Sequence, residues 1–282
     1  MVELLGKPVA DAICANLKDS IEELNGKNKI PTLAIVRVGN REDDISYERG
    51  ARKRFADNNC DTRVVELSAD VDQDELEKTI VELNNDSSVD GILLFRPLPK
   101  QLSEARIQKL IEGDKDVDCM GLENMARLFA GSKEGFAPCT AQAVIELLHH
   151  YDIELKGKKV TVIGRSLVIG KPVAMMLIKE NATVTVCHTK TEDLIGECKN
   201  ADIIVAAAGV AKMVSAEYVK PSSIVIDVGM NVDEAGKLCG DVDFAGISEI
   251  VDRITPVPRG VGSVTTSVLL KNTVANAIKS TK

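Results

Sequence analysis

The chain has 282 residues, 44% of them apolar and 28% charged, with a formal net charge of -8. Such a chain is a soluble globular protein with room for one large domain or two of ordinary size. The acidic balance speaks against a nucleic-acid surface, no apolar run reaches the length of a membrane span, and seven scattered cysteines with three histidines form no metal-ligand spacing.

Taken in chain order, the first residues have no signal-peptide anatomy, and the unpaired thiols suit a reducing compartment, so a cytoplasmic location is expected. Apolar residues at Val9, Ile13, Leu17, Ile21 and Leu24 recur at helical period and predict a helix over 9–24. A strand over 31–38 ends at Gly39, followed by a helix over 47–56, a strand over 63–67, a helix over 74–83 and a strand over 91–95. That strand is closed by Arg96-Pro-Leu-Pro99. This half is α/β but carries no glycine phosphate loop. The domain boundary is expected near Pro138-Cys-Thr140, before a helix over 141–149. A long helical pattern over 265–280 packs back on the first domain, giving 1–139 completed by 265–282, and a second domain at 140–264.

The second domain opens on Thr161-Val-Ile-Gly-Arg-Ser-Leu-Val-Ile-Gly-Lys-Pro172. A strand over 160–163, a glycine turn and a helix over 172–179 aim backbone N–H groups and a helix N-terminus at one spot, where a diphosphate can sit. The spacing is not G-x-G-x-x-G, because Ser166 stands at the middle glycine and one extra residue precedes Gly170. Alone, the loop reads equally well as an ordinary strand-to-helix turn. The downstream strands decide between the two: β-branched runs at 183–187, 203–208 and 224–228, with a helix over 191–200 between the first two, read as a Rossmann-type parallel sheet. Glycines close the later strands at Gly209 and Gly229. The expected fold is therefore two α/β domains, the second a Rossmann-type parallel sheet, with substrate held in an interdomain cleft. At the end of the second strand, His188-Thr189-Lys190 offers no carboxylate for a ribose hydroxyl pair until Glu192, and Arg165 sits in the glycine turn. Cations in place of an acid favour NADP, with NAD left open; the bland alternative is that Arg165 and Lys190 are solvated surface charges.

Seven strings then occur in one order: Asp114-Lys-Asp-Val-Asp118, Pro138-Cys-Thr140, Gly164-Arg-Ser-Leu-Val-Ile-Gly-Lys-Pro172, Val186-Cys-His-Thr-Lys-Thr191, Val225-Ile-Asp-Val-Gly229, Gly240-Asp-Val242 and Thr255-Pro-Val-Pro-Arg-Gly-Val-Gly262. On these the chain resembles the bifunctional methylenetetrahydrofolate dehydrogenase/methenyltetrahydrofolate cyclohydrolase family over essentially its full length. The resemblance implies oxidation of methylenetetrahydrofolate with NADP in one-carbon metabolism, then hydrolysis of the methenyl product, by a homodimer associating through the nucleotide domain. It implies that Tyr47 stacks on the folate rings and that Asp118 accepts hydrogen bonds from the pterin, making these the catalytic pair. Pro97, Leu98, Pro256, Gly260 and Gly262 would complete the substrate site. Gly164, Arg165, Ser166, Gly170, Pro172, His188, Thr189, Gly209, Asp227 and Gly229 would bind the cofactor, with no metal.

The departures from the family pattern cluster on the folate side. Four residues after the tyrosine the family has a lysine, the acid/base of hydrolysis; here that position is Ala51. Lys53 lies about 200° around the helix from it, and an arginine at Arg54 stays protonated. The glutamine that neighbours the lysine is replaced by Phe95. Cys119 and Arg259 stand at glycine positions, Ser263 at a proline and Asp44 at a serine. Dehydrogenation is expected to survive these changes better than hydrolysis, because hydride transfer needs chiefly two reactants held face to face. The alternative reading is a non-catalytic relative that binds folate or nucleotide as a regulatory subunit.

Overall fold

A computed structural model of the protein describes residues 1–281. The chain divides into two units, residues 12–139 with 266–282 and residues 1–11 with 140–265. It opens with Val2–Glu3 (β1) and Gly6–Gly26 (α1), the helix running past both ends of its apolar pattern.

The first unit is built on three parallel strands, Thr32–Val38 (β2), Asp61–Leu67 (β3) and Gly91–Leu94 (β4), in the order β3-β2-β4. From Leu33 onward the middle strand is apolar on both faces except for Arg37, as a strand covered by helices must be. Arg37 is buried, and its charge is met by Glu48 at 3.0 Å and Glu66 at 2.8 Å. Between the strands run Glu42–Ala56 (α2) and Gln73–Asn85 (α3). The former begins five residues before the helix expected at 47, because Glu42, Asp43 and Asp44 place three carboxylates on the positive end of its dipole. Asp72 caps α3 by accepting the Glu75 N–H at 2.9 Å. Leu76, Ile80 and Leu83 of α3 then seat on Ala34, Val36 and Ile92, each such side chain contributing roughly 1.5–3 kcal/mol of burial. Short helices Glu104–Ile107 (α4) and Leu122–Phe129 (α5) lie in stretches without a long apolar period.

After residues 1–11 the second unit resumes at residue 140 within Cys139–His150 (α6) and continues through Lys159–Ile163 (β5), Gly170–Lys179 (α7), Thr183–Cys187 (β6), Leu194–Asn200 (α8), Ile203–Ala206 (β7) and Ile224–Asp227 (β8). A hairpin, Asn231–Val232 (β9) with Leu238–Cys239 (β10), comes next, then a short helix Phe244–Ile247 (α9) and a strand Arg253–Ile254 (β11). The sheet is parallel throughout, in the order β1-β11-β8-β7-β5-β6. Residues 1–11 therefore belong here rather than with the first unit: Val2 and Glu3 pair with Arg253 and Ile254, and two residues are too few for a periodicity to reveal. Helix α8 starts at Leu194, not Thr191, because the Thr191 hydroxyl accepts the His188 N–H and Asp193 caps the helix at the Gly196 N–H.

Thr265–Ser280 (α10) closes the chain along its predicted span, and from residue 266 it belongs to the first unit. Asn276 donates to the Asp90 carbonyl at 2.9 Å and Asn272 to that of Val117 at 3.0 Å. A Cβ on Gly91 would lie 2.9 Å from Val117 and 3.0 Å from Thr273, so the close approach of β4 to this helix requires glycine.

Candidate active site

In the first unit the chemistry gathers where β4 ends. Tyr47 projects from α2 and meets Phe95 edge to face, ring centroids 5.9 Å apart. Ala51, one turn further on, is completely buried on the same helix as Glu48 and Phe55. Past Phe95, Pro97 is exposed, while Leu98 is half-buried against the core and its N–H reaches Glu104 at 3.3 Å. The turn that presents Asp118 is organised by Asp116, fully buried, whose carboxylate accepts the N–H groups of Met120 at 2.8 Å and Gly121 at 2.9 Å. Burial lifts the Asp116 carboxyl to about 6 against the pull of those two donors. Asp118 itself is 23% exposed, takes the Cys139 N–H at 2.8 Å on one oxygen and faces Arg96 at 3.8 Å with the other. Burial raises its pKa, opposed by that N–H and by the Arg96 charge. Tyr47 thus meets Phe95 and Asp118 faces Arg96, the two residues that directly follow β4.

In the second unit the glycine turn comes directly after β5. The chain leaves β5 for β6 on one side and returns to β7 on the other, so the turn sits at a topological switch point, outside the carboxyl ends of the strands. Gly164 has φ +121° and lies against the Ala207 carbonyl, leaving no room for a Cβ. Arg165, Ser166, Leu167 and Val168 are exposed. The Ser166 hydroxyl accepts the N–H groups of Ile169 at 3.1 Å and Gly170 at 3.4 Å, capping α7, in which Pro172 is buried. At the end of β6, Nδ1 of His188 accepts the Lys190 N–H at 3.1 Å, and Thr189 and Lys190 are exposed. A backbone turn pinched at Gly164 and Gly170, a helix start and surface cations form a donor set that fits a dinucleotide carrying an extra phosphate.

Asp227 and Gly229 sit differently. Asp227 is 2% exposed and accepts N–H groups from Gly229, Asp241 and Val242, each at 3.0 Å. Its carboxylate is used inside the protein, and burial lifts it to about 6. The residue that ties the strand ends together is Asp241, which the sequence pattern does not mark as a site residue although it stands in the Gly240-Asp-Val242 string. It accepts from Ala208 at 2.6 Å, Gly209 at 2.9 Å, Val210 at 3.0 Å and the Asn231 amide at 2.8 Å. Of the loop over 255–262, Pro256 and Gly260 are buried and Gly262 is exposed. Pro256 and Arg259 line a cavity of about 380 Å³ with Lys212, Asp227, Cys239 and Gly240; residues of the glycine turn do not line it.

Two of the departures become intelligible from the backbone. Cys119 has φ +54° and Arg259 φ +88°, the left-handed region in which glycine is free of strain. The turns have kept their glycine geometry while acquiring side chains, at about 1–2 kcal/mol each.

Family models match both units: the tetrahydrofolate dehydrogenase/cyclohydrolase catalytic domain over residues 4–118, and the NAD(P)-binding domain of the same family over residues 138–281. The chain belongs to the tetrahydrofolate dehydrogenase/cyclohydrolase family. It is 53% identical to the bifunctional protein FolD of Carboxydothermus hydrogenoformans over 273 residues, covering 96% of this chain and 95% of that protein. It is likewise 53% identical to the FolD of Clostridioides difficile, over 95% of this chain and 94% of that one. Among solved structures it is similar to the bifunctional FolD of Campylobacter jejuni, with a TM-score of 0.96 at 39% identity and 99% coverage of both chains. The FolD of Trypanosoma brucei, solved with NADP cofactor and an inhibitor, gives a TM-score of 0.94 at 37% identity, over 100% of this chain and 99% of that one.

Within this tetrahydrofolate dehydrogenase/cyclohydrolase frame, the departures at Asp44, Phe95, Arg96 and Cys119 are all in the first unit. Arg41 grips Asp44 at 2.6 and 2.9 Å and donates to the Arg96 carbonyl at 2.9 Å. Arg96 reaches Asp118, and Phe95 packs on Tyr47. Asp44 and Arg96 are thereby linked through Arg41.

Proposed function

We propose that this protein oxidises 5,10-methylenetetrahydrofolate to 5,10-methenyltetrahydrofolate with NADP in one-carbon metabolism, and that it hydrolyses the product poorly or not at all. NADP supplies the hydride acceptor. The chain's own residues bind and orient: Tyr47 stacks on the folate rings, Asp118 accepts from pterin N–H donors, and Pro97 and Leu98 border them. Arg165, Ser166, Thr189 and Lys190 with the Gly164–Gly170 backbone hold the diphosphate and ribose phosphate, while Gly209 is kept in place by Asp241 and Gly229 by Asp227. Pro256, Gly260 and Gly262 form the loop beside the nicotinamide.

The single observation that carries the weak hydrolysis is Ala51, an inert methyl with no exposure where the family's proton-handling lysine belongs. Arg54 does not stand in, since its guanidinium faces the Cys14 sulfur at 3.8 Å and keeps its proton. A general acid/base of this kind is worth about 10²–10⁴-fold. Protein mixed with methylenetetrahydrofolate and NADP is expected to yield reduced cofactor with methenyl compound accumulating, the two followed separately by absorbance. Hydrolysis keeping pace with oxidation would overturn the assignment of weak hydrolysis; no reduced cofactor would overturn the oxidation. The regulatory-subunit reading is not favoured, because Tyr47, Asp118 and the nucleotide turn are all retained beside full-length similarity to bifunctional enzymes.

The quaternary reading is a homodimer through the nucleotide-binding unit. Supporting it, the β9–β10 hairpin and its approach carry Met230, Val232 and Leu238 at 68%, 64% and 37% exposure. Sedimentation should give twice the chain mass, falling to one chain in Val232→Asp; a monomer in the unchanged protein would refute the assembly. A cytoplasmic location fits this chemistry, and among the described residues no helix is long and apolar enough to cross a membrane.

A further inference from the structure

Arg96 opens the Arg96-Pro-Leu-Pro99 segment that closes β4, and its side chain is only 14% exposed. A guanidinium turned inward needs a counter-charge. The carboxylate it faces is Asp118, at 3.8 Å from Oδ2. That separation is close enough for charge attraction and too long for a hydrogen bond. The lone pairs of Oδ2 therefore remain available to an incoming N–H donor, while Oδ1 is fixed by the Cys139 N–H at 2.8 Å. The backbone of Arg96 is itself held, its carbonyl accepting from Arg41, which Asp44 chelates.

We propose that Arg96 is a positioning residue for the folate, holding Asp118 ionised and aimed so that Oδ2 can accept from the pterin. The inference rests on the reading of Asp118 as the pterin acceptor. Of the other titratable groups set against Asp118, the Cys139 thiol helps Arg96 to hold the carboxylate ionised, as a smaller contributor. Asp116 repels its charge from within the same turn, and burial keeps the Cys119 and Cys139 thiols protonated and neutral. The burial that raises the Asp118 pKa is opposed first by the Cys139 N–H, then by the Arg96 charge and the Cys139 thiol. A protonated Asp118 would turn an O–H toward a ligand edge made of N–H donors, and the recognition would be lost. Arginine also suits the place because its own proton is never given up.

The test uses the full chain with Arg96→Leu and Arg96→Lys, at saturating NADP. In Arg96→Leu the KM for methylenetetrahydrofolate is expected to rise about tenfold with kcat within about threefold, and the acid limb of kcat/KM to move up by about one pH unit. Arg96→Lys, which keeps the charge, should restore much of that limb. Calorimetric binding of tetrahydrofolate without turnover gives an independent reading. Arg96→Leu should weaken it about tenfold more at about pH 6 than at about pH 8. A folded Arg96→Leu protein with unchanged acid limb and unchanged pH dependence of binding overturns the proposal, as does a loss in kcat alone. An unchanged protein that does not turn over, yet shows the Arg96-dependent binding pattern, supports Arg96 and overturns the dehydrogenase reading instead.

Discussion

Replacing Asp241 by alanine is expected to cost the protein about 4 kcal/mol, more than any single surface change could. The reason is an accounting of donors. Asp241 is fully buried, and its two oxygens serve three consecutive backbone N–H groups, of Ala208, Gly209 and Val210, together with the Asn231 amide. Alanine leaves four donors facing a small void with nothing to accept them, and an unmet buried donor costs about 1–3 kcal/mol. Water entering the void would recover part of that sum, which is why the expectation is about 4 kcal/mol and not the full total. Asp243, two residues on, is the control. Its carboxylate only caps α9 through the Gly246 N–H at 3.2 Å, so Asp243→Ala should cost about 1 kcal/mol. Thermal melts read both, with Asp241→Ala lowering the midpoint by on the order of 10 °C. The loop that Asp241 holds carries Gly209, so NADP affinity should fall as well. Should Asp241→Ala melt with Asp243→Ala, the strand ends are organised by something else.

The same residue marks the limit of what the linear chain discloses. Strands β2, β4, β5, β7 and β8 were legible because a strand covered on both faces must be apolar without interruption, and helices α1, α3 and α10 because their apolar residues recur at helical period. The glycine turn was legible as geometry, and its family strings as resemblance. Four things were not. Strand β1 is two residues long and borrows its stability from Arg253 and Ile254, some 250 positions away along the chain. The work of Asp227 and Asp241 is invisible in one dimension, because an aspartate turned inward onto backbone N–H groups reads like one facing a ligand. Cys119 and Arg259 looked like lost glycines, whereas their positive φ angles tell that the turns have been retained. The contacts linking Asp44, Arg41, Arg96 and Asp118 join positions far apart in sequence.

Restoring the lysine should restore hydrolysis. The double change Ala51→Lys with Phe95→Gln is expected to raise methenyltetrahydrofolate hydrolysis by about 10²–10⁴-fold, the range a placed acid/base group supplies. Both changes are needed for physical reasons. Ala51 has no exposure, so a lysine there loses hydration, which lowers its pKa toward the range where it can exchange protons near neutrality. The same desolvation destabilises its charged form unless a polar neighbour is supplied, and Phe95, packed on the Tyr47 ring, offers only a hydrocarbon edge. Glutamine at 95 gives the ammonium a carbonyl to meet. The single Ala51→Lys protein should therefore melt lower than the double variant and hydrolyse less. Phe95→Gln alone should change hydrolysis by less than about threefold, since it adds no group that exchanges protons. Oxidation should stay within about tenfold throughout, because it depends on how Tyr47 and Asp118 hold the folate more than on a base. A double variant that folds and oxidises normally, yet hydrolyses no faster, would mean that position 51 no longer faces the folate and that α2 has been re-registered along with its residues.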